Sequence, residues 1–558
     1  PAYNWVEIDD RYGGDGSYLS SLTDNGNNGD DVETIDLPFT FRMYGVDYDQ
    51  ISVCSNGWIS MGETDLESFR NSIILGSIAA YMLFTIMIGI WALRKTKSTQ
   101  DFFMAGKDLG IVVTGFALFS SLLSGFGFVG GPALVYKMGM SSTWMFVCAI
   151  MGFNLSFFLL AKRLRLFAEI GNPMSLPDVV KLRYDNVFTQ GLMAVAIVLG
   201  VLGYLATQIL AMSIVLQEIF NASSFIDSMD IGYCMLISCA ILVFYSITGG
   251  IVASVYTDLF QGAIMIFGAL LIFFSVLNLF EGGFQEISQI IAQDDTGAIG
   301  PWGTMGAMGA LSWLFVFMMG GAGQPHVITK MMMYKNISDA KYILPTSIIG
   351  YFFSALLWLS IGLAMRALVI SEMHPELSNA DMAASIYLQY YTNPILAGLV
   401  FAGLFAAIMS TADAFLNIGT AAIMHDIPDA MGIKIKNDLL WARLITLTLT
   451  VIAAFFGHYS GDLVAILGAF GWGTFASAIV PVVVIGFNWK RATSMAANVC
   501  IISSLLINFS VKILNIKIPY SIDIGAISLI ISMFLFVSIS LLSKKPFINK
   551  NVEAAMDL

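Results

Sequence analysis

Charge is scarce in this chain. Only 12% of its 558 residues are Asp, Glu, Lys or Arg, against 57% hydrophobic, and the mean hydropathy is +0.77. A fold in water has too little interior to hide that much apolar surface, so a soluble globular protein is excluded and a polytopic membrane protein is expected. Histidine is almost missing, with four in all and none in residues 1–70. No Cys-His or Ser-His-Asp arrangement is therefore available in that segment, and no enzyme is expected. Cysteine is limited to Cys54, Cys148, Cys234, Cys239 and Cys500. Four of these lie in apolar segments without ligand spacing, which argues against a disulfide framework or a thiolate metal site. There is no Walker motif or Gly-rich phosphate loop, so ATP is not the energy source. A basic face is also lacking, which argues against nucleic acid as a partner. The net charge of −12 is uneven, because residues 1–70 hold many acids and only Arg11, Arg42 and Arg70.

Long apolar runs are what the chain has in plenty. Thirteen are long enough to cross a bilayer: residues 72–93, 110–134, 142–161, 188–215, 231–248, 254–280, 307–325, 343–369, 393–424, 439–457, 462–487, 495–511 and 521–543. With the first N-terminus outside, twenty Lys and Arg fall in inside segments after Asn71, including Arg94, Lys95, Lys330, Lys335, Lys434 and Lys436. Only Lys137, Arg366, Lys512 and Lys517 fall outside. The positive-inside rule then predicts an external N-terminus and a cytoplasmic C-terminus in the cell membrane. The loop 281–305, with four acids and no basic residue, fits the outside.

Residues 1–70 read differently. Alternation at Phe39, Phe41 and Met43 and at Ile51 and Val53, between Gly, Asn and Asp turns, predicts short β-strands. The segment resembles a fragment of a secreted β-sandwich domain, either fused to the membrane region or forming an extracellular cap. The chain starts at Pro1 without a signal peptide, and Met61 is expected as the native start of the membrane part. The expected organisation is 1–70 extracellular and β-rich, 71–545 membrane domain and 546–558 cytoplasmic tail.

Within the membrane, polar groups are costly and mark pathways or sites. The run Ala406-Ala407-Ile408-Met409-Ser410-Thr411-Ala412-Asp413 places two hydroxyls and a carboxylate in an otherwise apolar span. Paired hydroxyls beside backbone carbonyls are hard oxygen ligands suited to Na⁺. The plainer alternative is that each bonds back to the preceding turn. The second span is interrupted at Ser124-Gly125-Phe126-Gly127-Phe128-Val129-Gly130-Gly131-Pro132, and the seventh at Gly320-Gly321-Ala322-Gly323-Gln324-Pro325-His326. Two Gly-broken spans five apart predict a five-plus-five repeat, spans 2–6 and 7–11, with binding where the breaks meet. Close packing through small residues is the competing account of either cluster. Asp258 is expected near the cytoplasmic end of span 6, and His326 is expected to hydrogen-bond a cytoplasmic loop.

The chain resembles the sodium/solute symporter family over residues 71–545. The matching segments, in family order, are Lys97 to Gly106, Ser124 to Pro132, Thr257-Asp258 with Gln261, Gly323 to His326, and Met409 to Asp413. The resemblance implies an all-α membrane fold of the leucine-transporter type with thirteen transmembrane helices and an inverted repeat. It also implies a sodium site formed by the carbonyls of Ser120, Leu123 and Ala407 and the hydroxyls of Ser410 and Thr411. Asp258 and Asp413 are implied for the ion's exit route or a second sodium site. Solute is expected between spans 2, 4, 7 and 11, with Ser121, Ser124, Gly127, Gln208, Phe317, Gly321 and Trp472 as candidate contacts. Leu122 stands where relatives are often polar and Gly127 where sugar transporters carry a hydrogen-bonding side chain, while Gly320 and Gly321 lack the aromatic or amide groups of sugar and proline relatives. The Gly323-to-His326 motif is commoner in the amino-acid and carboxylate branches, so a small amino acid or monocarboxylate is favoured. The expected partners are that solute, Na⁺ as coupling ion and the bilayer, with no cofactor and no obligate protein partner. The alternative reading is a transporter-like sensor regulating a separate kinase.

Overall fold

The computed structural model describes residues 32–43, 46–54, 59–61, 66–95, 109–221, 229–433 and 438–557. The segment Lys97 to Gly106, Lys434 and Lys436 lie outside the described residues. Three strands, β1 (Val32–Met43), β2 (Val46–Cys54) and β3 (Ile59–Met61), form an antiparallel meander. Ile35 pairs with Ile51, and the register shifts between Asp36 and Phe41. The alternation read in this segment is therefore strand structure, as its period of two dictates.

The rest is helical. The helices that position the site are α1 (Leu66–Lys95), α2 (Ile111–Leu122), α3 (Gly131–Met138), α4 (Thr143–Ser156), α5 (Val187–Asn221), α6 (Ile231–Leu277), α7 (Gly306–Trp313), α8 (Pro325–Lys330), α9 (Ala340–Ile370), α10 (Pro394–Ala421) and α11 (Val464–Ile479). Among the described residues, nine helical stretches have the length and apolarity to cross a membrane. Four shorter apolar helices accompany them, at Ser72–Ile88, Ile111–Leu122, Ile231–Phe244 and Gly306–Met319. Two of these four stop at interruptions, where α2 ends at Leu122 and the stretch from α7 ends at Met319.

One segment departs from the sequence reading. The backbone of α6 stays helical through 249–253, so helical turns join spans 5 and 6 where a loop is expected. Glycine lowers helix stability by about 1 kcal/mol relative to alanine without preventing the hydrogen bond, so Gly249-Gly250 does not stop the helix.

A helix break adjoins each Gly cluster. Leu123 leaves helical geometry with φ −87° and ψ 103°. The chain then resumes as a π-helical turn, Phe126–Gly130, and continues into α3. In the other element α7 passes into a π-helical turn at Leu314–Met319, and after Gly323 the chain is extended at Gln324 (ψ 115°) before α8. Proline follows each break at the first turn of the new helix, where its missing N–H costs nothing. π-turns recur at functional positions in helices, and here one adjoins each break.

The core sits where α10 packs along α6 and against α5, with α2 and α11 closing around them. From Phe401 to Leu416 every residue of α10 is buried. A helix enclosed on all sides presents its polar residues to other helices rather than to lipid.

Candidate functional site

The break after α2 decides what its last turn can offer. The final carbonyls of a helix have no partner inside it. The cap N–H of Leu123 takes the Phe119 carbonyl at 3.0 Å, which leaves the carbonyls of Ser120 and Ser121 for other donors. α10 supplies one. The Thr411 hydroxyl donates to the Ser121 carbonyl at 3.2 Å. One residue earlier, Ser410 Oγ accepts from the Ser120 hydroxyl at 3.1 Å and donates to Asp258 Oδ1 on α6. Ser120, Ala407, Leu123, Ser410 and Thr411 are all fully buried. The hydroxyls thus face the α2 break instead of bonding back along α10. Each retains a lone pair, and with the freed carbonyls they make a donor set of neutral oxygens that fits Na⁺.

A cation already stands beside this set. Lys330, the last residue of α8, is 1% exposed and lies in the core rather than at a cytoplasmic boundary. Its Nζ is 2.7 Å from Asp258 Oδ2 and 2.9 Å from the Ala117 carbonyl, and it also donates to the Ser121 hydroxyl. Ser121 donates in turn to Ala117 at 2.8 Å. Ser121 therefore belongs to the charged cluster. Asp258 is wholly buried as well, and its two oxygens join the lysine to the Ser410 hydroxyl. Asp413 is buried one turn after Ser410, with Ser246 and Ser254 near it. Neither serine reaches full hydrogen-bond geometry, so both Asp413 oxygens lack a partner among the described residues.

The remaining candidates divide in two. Ser124 Oγ lies 3.1 Å from the Tyr204 hydroxyl, and the Gly125 N–H donates to Gln208 Oε1 at 2.8 Å. Gln208 Nε2 is buried without a partner among the described residues. Around these groups the rings of Phe126, Phe317, Trp472 and Tyr204 stand with centroids 5.7 to 6.5 Å apart. Trp472 donates its indole N–H to the Val316 carbonyl at 3.0 Å, which fixes the ring. Gly127 and Gly321 lie elsewhere. A Cβ on Gly127 would come within 2.6 Å of Trp358, and one on Gly321 within 3.2 Å of Gly152 on α4. Both glycines permit close packing at helix contacts.

His326 makes no hydrogen bond through either ring nitrogen among the described residues, contrary to the loop-fixing role expected for it. It packs edge-on against Phe415, with centroids 4.7 Å apart. Lys330 and Tyr204 are the residues that motif reading undervalued. A lysine one turn past Pro325 resembles a membrane-boundary residue, and only the meeting of α6 with α8 reveals its partner.

Two broken helices, a buried hydroxyl pair facing one break and an aromatic enclosure beside it define a membrane transporter. The comparisons agree. The family profile of the sodium:solute symporter family matches residues 102–503, and the chain belongs to that family. Its sequence is 25% identical to the osmoregulated proline transporter OpuE of Bacillus subtilis, over 85% of this chain and 95% of that one. It is 24% identical to a sodium/proline symporter of Staphylococcus aureus, over 77% and 84%. In structure it resembles a Na⁺-coupled sialic acid symporter in a substrate-bound outward-open state, with a TM-score of 0.68 at 19% identity, covering 86% of this chain and 99% of the other. The nucleobase-cation-symport-1 family transporter Mhp1, closed with bromovinylhydantoin bound, gives 0.53 at 12% identity, over 82% and 98%. At those identities the likeness speaks to the fold alone. A profile described as NIDO related matches residues 14–85, across the strands and into α1.

Proposed function

We propose that this symporter carries a small amino acid or monocarboxylate into the cell by alternating access, coupled to Na⁺ held by the carbonyls of Ser120, Leu123 and Ala407 and the hydroxyls of Ser410 and Thr411. The observation that carries this reading is the meeting of the α10 hydroxyls with the last turn of α2 at hydrogen-bond distance. Neutral oxygens at a helix break can replace the hydration of a monovalent ion and still release it. One Na⁺ gains about 2.3 kcal/mol per 100 mV, enough for about fifty-fold accumulation before its own gradient is counted. The proposed architecture is thirteen spans with a five-plus-five inverted repeat, external N-terminus and cytoplasmic C-terminus. Residues 1–70 would form a separate β-rich unit outside, 71–545 the transport domain and 546–558 the tail. Asp258 and Asp413 would line the ion's exit or a second sodium site.

For the solute, the proposed contacts are Ser124, Gln208, Phe317 and Trp472. A binding site of apolar walls with a few convergent polar groups suits a small amphipathic molecule. Gln208 Nε2, without a partner among the described residues, offers a donor to a carboxylate. The names of the relatives make proline the first solute to try. The test is uptake by proteoliposomes given radiolabelled proline, other small amino acids, short carboxylates and sugars, with and without an inward sodium gradient. Sodium-stimulated uptake of an amino acid or carboxylate is expected. Uptake that proceeds unchanged when potassium or choline replaces sodium refutes the proposal.

A further inference from the structure

We propose that Lys330 is a tethered counter-cation that competes with sodium for the negative charge of Asp258 beside the α2 break. This rests on the sodium-site reading above. The three N–H groups of the ammonium are all engaged, by Asp258, Ala117 and Ser121. Two of those acceptors belong to α2, whose last turn also carries the Ser120 carbonyl. Asp258 bonds the ammonium through one oxygen and the Ser410 hydroxyl through the other. A single carboxylate therefore separates the fixed cation from the first hydroxyl of the ion site. In a region of low dielectric, two monovalent cations around one carboxylate repel strongly, and the more firmly one is held, the weaker the other binds.

The position of the lysine also links the two breaks, since it bonds the helix that ends at the first. Lys330 ends a helix of only six residues that begins directly after the second break. A methionine of similar length would fill the same space without charge, so packing alone does not require lysine here.

The experiment is equilibrium binding of ²²Na⁺ to the purified full-length protein in lipid nanodiscs, without solute. Lys330→Met leaves Asp258 in need of a cation and is expected to tighten sodium binding at least tenfold. Asp258→Asn leaves the ammonium unpaired and is expected to weaken it at least tenfold. The double variant, which has neither charge, is expected within about threefold of the wild type and serves as the comparison if one single variant aggregates on size exclusion. Lys330→Arg keeps the charge and is expected not to tighten binding. Unchanged or weaker binding in Lys330→Met, while Ser410→Ala still weakens it, overturns the competition and leaves the sodium site standing. A wild type that binds no sodium, or whose binding is insensitive to Ser410→Ala and Thr411→Ala, overturns both.

Discussion

Ser120 and Ser410 are 290 residues apart in sequence, and their hydroxyls lie 3.1 Å from each other in the core. That contact brings the end of a broken helix against an unbroken one, and the ion ligands proposed here follow from it. Replacing Ser410 or Thr411 by alanine removes one neutral oxygen from about five. Each single substitution should raise the sodium concentration for half-maximal uptake about tenfold, the equivalent of about 1.4 kcal/mol. Protein level should change less, because each hydroxyl makes only one or two hydrogen bonds. Sodium titrations of proteoliposome uptake measure this, and full uptake by the double variant at low sodium would remove the assignment.

Gln208 supports the break through one atom and leaves another for the proposed solute contact. Its Oε1 accepts the Gly125 N–H, while its Nε2 has no partner among the described residues. Gln208→Glu keeps an acceptor for Gly125 but trades the free donor for negative charge. A carboxylate solute should then bind at least tenfold more weakly, seen as a rise in KM for proline uptake. An unchanged KM would mean that the amide does not meet the solute carboxylate.

The helix breaks were legible because glycine and proline act locally. Leu123-Ser124, just before Gly125, and Ala322 to Gln324 interrupt their helices beside the Gly clusters and a following Pro. The strands were legible for a similar reason, since alternation is a local period. What the sequence did not carry was partnership. Nothing around Lys330 announces a carboxylate 72 residues earlier, and motif spacing cannot reveal that α6 and α8 meet. Gly127 and Gly321 show the same limit, because a missing side chain does not say what faces it. The continuity of α6 was hidden by the habit of ending helices at paired glycines, which lower stability without removing a hydrogen bond.

Gly127 is held at glycine by Trp358. An added Cβ would meet the indole at 2.6 Å, so Gly127→Ala overpacks the contact between α9 and the broken element at a cost of ~1–3 kcal/mol. The indole N–H of Trp358 is buried without a partner among the described residues, so Trp358→Phe loses no hydrogen bond to them while freeing space on that side. The two substitutions together should therefore cost less than their sum. Thermal denaturation of the four proteins in detergent tests it, and strict additivity would show that the ring is not what excludes a side chain at residue 127.

Asp381 gives the fold a pH dependence outside the spans. It lies between α9 and α10, 1% exposed, and its Oδ2 accepts the Val464 N–H at the start of α11 at 2.9 Å. Burial pushes its carboxyl up to about 6 from an ordinary 3.8, against smaller lowering by that hydrogen bond and by Lys137. A raised folded-state value means that the native protein holds the proton more tightly than the unfolded chain. The contribution to stability is thus fully present below pH ~4 and is lost as pH rises through ~6. A shift of about two units corresponds to about 3 kcal/mol. Asp381→Asn keeps the acceptor for Val464 and cannot ionise. The wild type should match it near pH 4 and fall behind it by up to that amount near pH 7. Denaturation midpoints of both proteins across this range decide the matter, and parallel curves would mean that Asp381 stays ionised or becomes solvated in the folded state.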